Sequence, residues 1–440
     1  MFGNEATWQF IDEHLQDDVR QLALQKNKYQ DIDFDFALRQ IQGRQKTRDK
    51  LPFLASIPRF VFPPTLALEQ CSSEITAKYK RFIITDMLCR DAWPCVSTGN
   101  EKDSVVGDGA CTVSTNSVWM DGMPPVRVGT AMADLTGGFG IDTIFLSNLF
   151  ETCHYVEPQQ QLCDILSYNL KLLQKHNVMV YQDTMEHFVE KMESVDLVYL
   201  DPSRRDVLGK KVAGIEDCTP NVLQYKELLL QKGRCVMLKL SPMLDIKHAL
   251  AQLPETKEIH VLAVNGECKE LLFVMETSAQ LPVRYHTLNF LSNGDSQKEI
   301  RFDFAEEEEQ TALPEFVSQL GQYLYEPNAA VLKAGAFKSV AVRFGLCKLH
   351  PHSHLYTSNV LIHDFPGRIF QVQDVYSIKE AKTALKIIRK ANLTVRNFPL
   401  SADELKKSLK LSDGGDVYLF GTTLHNGQKV IISCVKENLK

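Results

Sequence analysis

The stretch ADLTGGFGIDTIFLSN, residues 133–148, decides the fold of the central part of this 440-residue chain. An apolar run ends at Asp134, three glycines follow within six residues, and a second apolar run with helical spacing begins at Ile141. Glycine allows the main chain to pass close to a ligand, and a helix N-terminus attracts negative charge. The stretch therefore predicts a strand, a ligand-binding glycine turn and a helix.

Strand and helix patterns continue to alternate up to residue 278. The first strand leads into the glycine turn, and six more are predicted near residues 152–158, 178–184, 195–201, 235–241, 258–264 and 269–277. Such alternation is typical of a parallel sheet covered by helices on both faces. The last two strands are separated by only four residues, so they should form an antiparallel hairpin at the edge of the sheet. The predicted fold class is α/β.

The rest of the chain differs from this central region. Helical spacing marks the N-terminal residues, a Ser/Thr/Gly-rich stretch without periodicity follows, and the acidic run 306–309 reads as a solvated loop. Capping-box spacing at Ser377 and Ser401 predicts two helix starts near the C-terminus. The predicted parts are a helical region 1–90, an insertion 91–130 that we expect to be a loop or disordered, the sheet 131–278, a small segment 279–325 and an α+β unit 326–440.

Composition narrows the class of protein. Hydrophobic residues make up 44% and charged residues 24%, the balance of a globular protein. No apolar run approaches the roughly 20 residues of a membrane span, and the eleven cysteines contain no CxxC pair, so a cytoplasmic location is predicted. The net charge of −6 argues against extensive coating of nucleic acid but allows a local basic patch.

Two nucleoside-containing cofactors use a strand, a glycine turn and a helix in this way: dinucleotides and S-adenosylmethionine. The dinucleotide fingerprint G-x-G-x-x-G is incomplete, because Thr143 stands where the third glycine belongs. The alternative pattern has an acidic strand end followed by small residues through the turn, and Asp134, Thr136, Gly138 and Gly140 supply it.

Two further carboxylates follow the next strands. Glu157 lies 17 residues beyond Gly140, where a carboxylate can accept hydrogen bonds from both ribose hydroxyls of either cofactor. Asp183 ends the following strand, where it can accept a hydrogen bond from an adenine amino group or merely assist the start of the next helix. We predict cofactor binding for both.

The segment VDLVYLDPSRR, residues 195–205, favours S-adenosylmethionine. Asp201 and the carbonyl beside Pro202 can accept hydrogen bonds from an amino group and hold its lone pair toward a methyl donor, so we predict a catalytic role for them. Ser203, Arg204 and Arg205 follow at the rim, where arginine suits phosphate or a carbonyl edge. The alternative for the arginines is a purely structural salt bridge.

These motifs resemble those of class I S-adenosylmethionine-dependent methyltransferases over about residues 131–278. DPSRR occupies the place of the D/N/S-P-P-Y/F/W tetrapeptide of amino-methylating enzymes, with Ser203 and Arg204 replacing the second proline and the aromatic residue. That departure leaves open both base flipping onto an aromatic ring and the identity of the acceptor atom. The resemblance implies a seven-stranded Rossmann-like sheet, an N-terminal helical region, small α+β C-terminal domains, and S-adenosylmethionine as cofactor.

The segment LEQCSSEITAKYK, residues 68–80, narrows the resemblance to bacterial methyltransferases that end in a ferredoxin-like segment and a THUMP-like domain. This similarity places the ferredoxin-like segment at 279–325 and the THUMP-like domain at 326–440, and it implies an RNA substrate. In related enzymes a segment before the glycine turn folds over the cofactor. We therefore assign Thr76 to the cofactor and Lys80 to the substrate, the alternative being an ordinary capped helix, and we add Lys239 to the substrate side.

A basic stripe in the last domain supports an RNA substrate. Between residues 371 and 410 there are nine Lys/Arg and four Asp/Glu, an excess of five in a chain that is acidic overall. Lysines recur at three- and four-residue steps, which predicts a helix face and a phosphate contact for Lys382 and Lys386. A merely solvated helix face is the alternative.

No metal is expected. His350, His352 and His354 alternate along one stretch, but no cysteine or carboxylate nearby completes a site, and amine methylation requires no metal. The sequence thus predicts an S-adenosylmethionine-dependent methyltransferase acting on an amino nitrogen of RNA. The alternatives are a protein or small-molecule acceptor, a non-catalytic RNA-binding protein with the same fold, and an NAD-dependent oxidoreductase.

Overall fold

The computed structural model describes residues 2–90, 129–203, 214–277, 282–293 and 296–437. The predicted insertion 91–130 therefore lies outside the described residues except for its last two positions. The chain forms two compact units, Met1–Lys239 with Met275–Thr277 and Leu240–Val274 with Ser278–Lys440. Among the helices that can be described, none combines the length and the apolar character needed to cross a bilayer.

The predicted N-terminal helices are confirmed. Apolar residues buried at helical spacing pack this region against the glycine turn, where the rings of Phe60 and Phe62 lie 6.0 and 6.1 Å from that of Phe139. The side chain of Asn169 both donates to and accepts from the main chain of Val61 at 2.9 Å. The helices are α1 Glu5–Glu13, α2 Val19–Ala23, α3 Phe34–Thr47, α4 Pro52–Ser56, α5 Thr65–Gln70 and α6 Glu74–Arg90, with a 3-10 turn Lys26–Lys28.

A parallel sheet follows in the same unit, as predicted. Its strands lie in the order β3-β2-β1-β4-β5, and each recorded pair among them is parallel. The strands are β1 Gly129–Asp134, β2 Phe150–Val156, β3 Val178–Tyr181, β4 Val195–Leu200 and β5 Gly233–Leu240. The helices between them are α7 Ile141–Leu146, α8 Gln160–Leu172, α9 Met185–Lys191 and α10 Val222–Lys232, with a 3-10 turn Ser147–Leu149.

The second unit corrects the predicted count of seven strands. The expected hairpin of β6 and β7 is present, with Asn265 and Gly266 at positive φ in a two-residue turn, but it does not end the sheet, because two further strands follow β6. The strand order here is β7-β6-β8-β9, because β8 pairs in parallel with β6 and antiparallel with β9. The elements are α11 Ile246–Gln252, β6 Thr256–Val264, β7 Glu267–Met275, β8 Arg284–Asn293, β9 Ser296–Ala305 and α12 Glu306–Thr311.

The C-terminal part of this unit is a mixed sheet with strand order β11-β12-β10-β13-β16-β15-β14. Both predicted capping boxes, at Ser377 and Ser401, are present. The lysine-bearing helix is shorter than its pattern predicts, because it passes into a 3-10 turn at Leu385 and Lys390 then bridges to Ser412. The remaining strands are β10 Tyr323–Pro327, β11 Cys347–Lys348, β12 Tyr356–Ser358, β13 Gly367–Tyr376, β14 Asn392–Arg396, β15 Val417–Thr423 and β16 Lys429–Lys436. The helices are α13 Ala329–Ala334, α14 Ser339–Arg343, α15 Ile378–Ala384 and α16 Ala402–Leu409, with a 3-10 turn Leu385–Ile387.

Candidate active site

Three carboxylates gather at one edge of the parallel sheet. Asp134 is the last residue of β1, Glu157 directly follows β2, and Asp201 directly follows β4. These three strands are neighbours in the order β2-β1-β4. Because parallel strands end at the same edge of a sheet, the three side chains share the crevice in which open α/β folds bind ligands.

The glycine turn is shaped by close packing against β2. A Cβ atom at Gly137 would lie 2.1 Å from the ring of Tyr155, so the turn can approach β2 only without a side chain there. Gly140, at φ 80°, is the left-handed N-cap of α7. At Gly138, by contrast, a Cβ atom would meet no atom nearer than 3.8 Å, so the space in front of this residue is open.

Glu157 is oriented by the turn itself. One carboxylate oxygen accepts the amide of Gly138 at 2.9 Å, and the other accepts that of Gln159 at 3.0 Å. A carboxylate oxygen has two lone pairs, so each can accept one further hydrogen bond. The arrangement can therefore bind a pair of neighbouring hydroxyls.

Asp134 is a buried carboxylate, and the groups that donate hydrogen bonds to it within the described residues are neutral. It accepts the hydroxyl of Thr143 at 2.5 Å and the amide of Thr136 at 3.2 Å. Burial raises the pKa of Asp134 to about 7, and the nearby Asp142 adds to the rise, while the two hydrogen bonds oppose it. A cationic ligand group near this carboxylate would favour its ionised form. In the sequence, Thr143 is visible only as a departure from the dinucleotide pattern, and its contact with Asp134 appears only in the structure.

Asp201 is fixed by two contacts. Its main-chain amide donates to the hydroxyl of Thr136 at 2.6 Å, which links the ends of β1 and β4. Its carboxylate forms an ion pair with Lys239 at 2.5 Å. Pro202 is buried, and Ser203 exchanges two main-chain hydrogen bonds with Thr219. The predicted substrate residues Arg204 and Arg205 lie outside the described residues.

Lys80 does not lie where the sequence places it. Its side chain is 0% exposed and donates to Asp142 at 2.9 Å and to Ser72 at 2.7 Å. Tyr199 donates to the other oxygen of Asp142 at 2.7 Å. Burial would raise the pKa of Asp142, but the ammonium groups of Lys80 and Lys239 outweigh it and hold the pKa below its usual value. A direct substrate contact for Lys80 is therefore not supported, because no part of the side chain reaches solvent.

This buried network extends to the catalytic candidates. Lys239 lies 3.3 Å from the hydroxyl of Ser72 as well as contacting Asp201. No sequence motif marks Ser72, Asp142 or Tyr199 as residues of this site. The available signal was the acidic residue Asp142 in the first turn of a helix whose other residues, apart from Thr143, are apolar.

The other two predicted cofactor residues have local partners. The hydroxyl of Thr76 is buried and donates to the main-chain oxygen of Ser73 at 3.1 Å, within its own helix start. Asp183 accepts hydrogen bonds from the ring of His187 at 2.7 Å and from the amide of Thr184 at 2.8 Å. Both hydrogen bonds lower the pKa of Asp183, and the bond from His187 has the larger effect. Thr184 is the N-cap of α9.

Lys382 and Lys386 lie in the second unit, on α15 and the 3-10 turn that follows it. Both are exposed, as are Lys379 and Lys390, whereas Ala381 and Leu385 face the core. No carboxylate in the described part of the chain forms an ion pair with Lys382 or Lys386. A local excess of solvated positive charge is therefore present despite the shorter helix.

Comparison with known proteins places this architecture in a family. No curated protein sequence matches the chain. A ferredoxin-like domain model matches residues 323–366, later than the 279–325 expected from sequence, and a THUMP domain-like model matches 367–436. A "putative methyltransferase" from Porphyromonas gingivalis W83 is 32% identical over 98% of both chains, with a TM-score of 0.78.

Two smaller structures resemble a third of the chain. An rRNA methylase from Streptococcus thermophilus is 16% identical, over 33% of this chain and 86% of its own, with a TM-score of 0.25. A "putative methyltransferase" from Streptococcus mutans in complex with SAH is 15% identical, over 33% of this chain and 88% of its own, also with a TM-score of 0.25. Likenesses of this extent say nothing about activity. The match along the whole chain does decide the family: this protein belongs with the Porphyromonas gingivalis protein, in a family that joins a methyltransferase-like core to ferredoxin-like and THUMP-like C-terminal domains.

Proposed function

We propose that the protein is an S-adenosylmethionine-dependent methyltransferase that modifies an amino nitrogen of RNA. The convergence of Asp134, Glu157 and Asp201 at the ends of three adjacent strands is the observation that carries this proposal. A dinucleotide oxidoreductase is disfavoured, because the position of the third glycine of its fingerprint is occupied by Thr143, whose hydroxyl donates to Asp134. A non-catalytic RNA-binding protein would not require these three carboxylates at the strand ends.

The residues present fit this cofactor. Glu157 has acceptor capacity for the two ribose hydroxyls, and the open space at Gly138 allows a ligand to lie against the main chain. Asp134 would attract the cationic methionine end, since its recorded partners are neutral hydroxyl and amide groups. When bound, S-adenosylmethionine supplies a methyl group made electrophilic by the adjoining sulfonium.

The role of Asp201 is to orient the acceptor. Its amide is anchored to Thr136 and its carboxylate to Lys239, so a hydrogen bond from an amino group to this carboxylate would hold the nitrogen in one direction. Holding the reacting groups in a fixed orientation accounts for a large part of the rate of methyl transfer. Lys239 is a positioning residue, because it acts through Asp201.

An RNA acceptor is supported by the C-terminal domains. The matched THUMP-like model covers the lysines of α15 and the following turn, and solvated lysines bind phosphates through counterion release. Arg204 and Arg205, which follow Asp201 in the chain, are proposed to contact the same substrate, and Ser203 to line its path.

Cofactor binding is tested by thermal unfolding with S-adenosylmethionine, S-adenosylhomocysteine and NADH in separate samples. A ligand at a hundred times its Kd adds about 2.7 kcal/mol to the native state, so we expect the adenosyl ligands to raise the Tm by several degrees. Glu157→Ala should lose this shift, while Glu151→Ala, an exposed residue of the same strand, should keep it. A shift with NADH alone would contradict the proposal.

RNA binding is tested by charge reversal at Lys382→Glu/Lys386→Glu. If both lysines contact phosphates, the plot of log K for RNA binding against the logarithm of the salt concentration should become less steep, its slope decreasing in magnitude by roughly 2. Lys171→Glu/Lys247→Glu, at two exposed positions on other helices, changes the net charge equally and should leave the slope unchanged.

Labelled methyl transfer that reaches protein but not RNA would instead identify a protein methyltransferase.

A further inference from the structure

The second unit contains a buried cluster of two histidines and a glutamate that methyl transfer does not use. Glu258 and His260 are two residues apart on β6, so their side chains share one face of the sheet. His286 is the partner of His260 in the register of β6 and β8, which places it on the same face. The three residues are 2%, 3% and 9% exposed.

The donor atoms of this cluster are spaced like ligands of one ion. Oε2 of Glu258 lies 3.5 Å from Nε2 of His260 and 3.6 Å from Nε2 of His286. These separations exceed the roughly 2.7–3.2 Å of N–H···O hydrogen bonds. Two ligands held at about 2.0–2.1 Å by one tetrahedral zinc ion lie about 3.4 Å apart. One donor atom from each residue lies within 4.8 Å of the other two.

A second carboxylate, that of Asp303, lies beside the ring of His286. Asp303 faces His286 across β8 and β9, and its Oδ1 lies 3.3 Å from Nδ1 of the ring. Arg301 donates to the other oxygen of Asp303 at 2.7 Å and also lies 3.3 Å from Nδ1. Histidines that bind metals characteristically present one nitrogen to the ion and the other to a carboxylate. Nε2 of His286 is buried and forms no hydrogen bond with any described residue.

We propose that Glu258, His260 and His286 bind a divalent transition-metal ion, with Zn²⁺ as the best match, and that the ion ties β6 to β8. Two imidazoles and one carboxylate are a frequent zinc donor set that leaves a fourth position for water. The ring centroids of the two histidines are 4.6 Å apart, so the rings would tilt toward the ion on binding. This proposal replaces the expectation of no metal.

The test is metal binding by the full-length chain after treatment with a chelator. Zn²⁺ is titrated in competition with a chromophoric chelator, and Co²⁺ is added separately for its visible spectrum. We expect one Zn²⁺ per chain at micromolar or lower Kd, an intense four-coordinate Co²⁺ spectrum, and a Zn²⁺-dependent rise in Tm. His286→Asn should lose all three responses, and Glu258→Gln should weaken binding by 10-fold or more.

The double variant His350→Ala/His352→Ala is the matched control, because it removes one half-buried and one exposed histidine from the other His-rich stretch. It should bind Zn²⁺ as the wild type does. Absence of Zn²⁺ binding by the wild-type chain would overturn the proposal whatever the variants do. Binding that persists in His286→Asn, or that disappears in the control, would also overturn it by placing the ion elsewhere.

Discussion

Replacement of Asp201 by alanine should slow methyl transfer to RNA by roughly 10²- to 10⁴-fold, the range by which lost positioning or proton acceptance slows enzymes. Among the described residues, the carboxylate of Asp201 is the only acceptor group that directly follows β4 and also forms an ion pair with Lys239. Without it, an amino group in the crevice loses its fixed direction. The Tm shift with S-adenosylmethionine should remain, because Asp134 and Glu157 are unchanged.

Two further variants make this expectation specific. Asp201→Asn keeps one side-chain acceptor oxygen, so its loss of rate should be smaller than that of Asp201→Ala; both variants keep the main-chain amide that donates to Thr136. Asp217→Ala removes an exposed carboxylate from the same unit and should leave the rate unchanged. The measurement is kcat and KM for labelled methyl transfer. An Asp201→Ala protein that retains kcat within a few-fold would eliminate the orienting role.

Lys80→Met should lower the free energy of unfolding by about 3–5 kcal/mol, because it leaves the carboxylate of Asp142 buried without its ion-pair partner. The two groups are 2.9 Å apart, with side chains 0% and 9% exposed. Methionine fills a similar volume, so the cost reports the charge. The check is the urea midpoint of unfolding. The matched variant Lys78→Met breaks a more exposed ion pair with Glu74, at 2.9 Å on the same helix, and should cost under about 1 kcal/mol.

The effect of pH separates charge from packing. In the wild type the pKa of Asp142 is held below its usual value, so the ion pair contributes stability above the unfolded pKa and loses it as pH falls. In Lys80→Met, burial without the partner raises that pKa, so this protein loses stability as pH rises. The difference between the two proteins should therefore shrink from pH 8 toward pH 5. A difference that is independent of pH would point to packing alone.

The core of the candidate site was predictable because its signals are local. Asp134, the glycines, Glu157 and Asp201 each follow a strand whose apolar run is visible in sequence, and parallel strands bring their ends together by topology alone. The capping boxes at Ser377 and Ser401 were equally readable, since both partners lie within one helical turn.

Local structure that depends on hydrogen-bond partners far along the chain was harder to predict from the sequence. The acidic run 306–309 was expected to be a solvated loop, yet it forms the short helix α12. There Glu309 accepts the amides of Lys338 at 2.9 Å and Ser339 at 2.8 Å, 29 and 30 residues further along the chain. Charge repulsion favoured a loop in the sequence, but the donors at the start of α14 decide the structure.

The sequence by itself determined the strand-turn-helix core, the carboxylates at its strand ends and the order of the parts along the chain. Hydrophobic period and turn chemistry act over a few residues, so they can be read directly. Only the tertiary structure decided that Lys80 is buried on Asp142, that β8 and β9 extend the strands β7 and β6, and that Glu258, His260 and His286 meet. Burial and the pairing of side chains from separate elements depend on how strands and helices pack, and no short stretch of sequence records that packing.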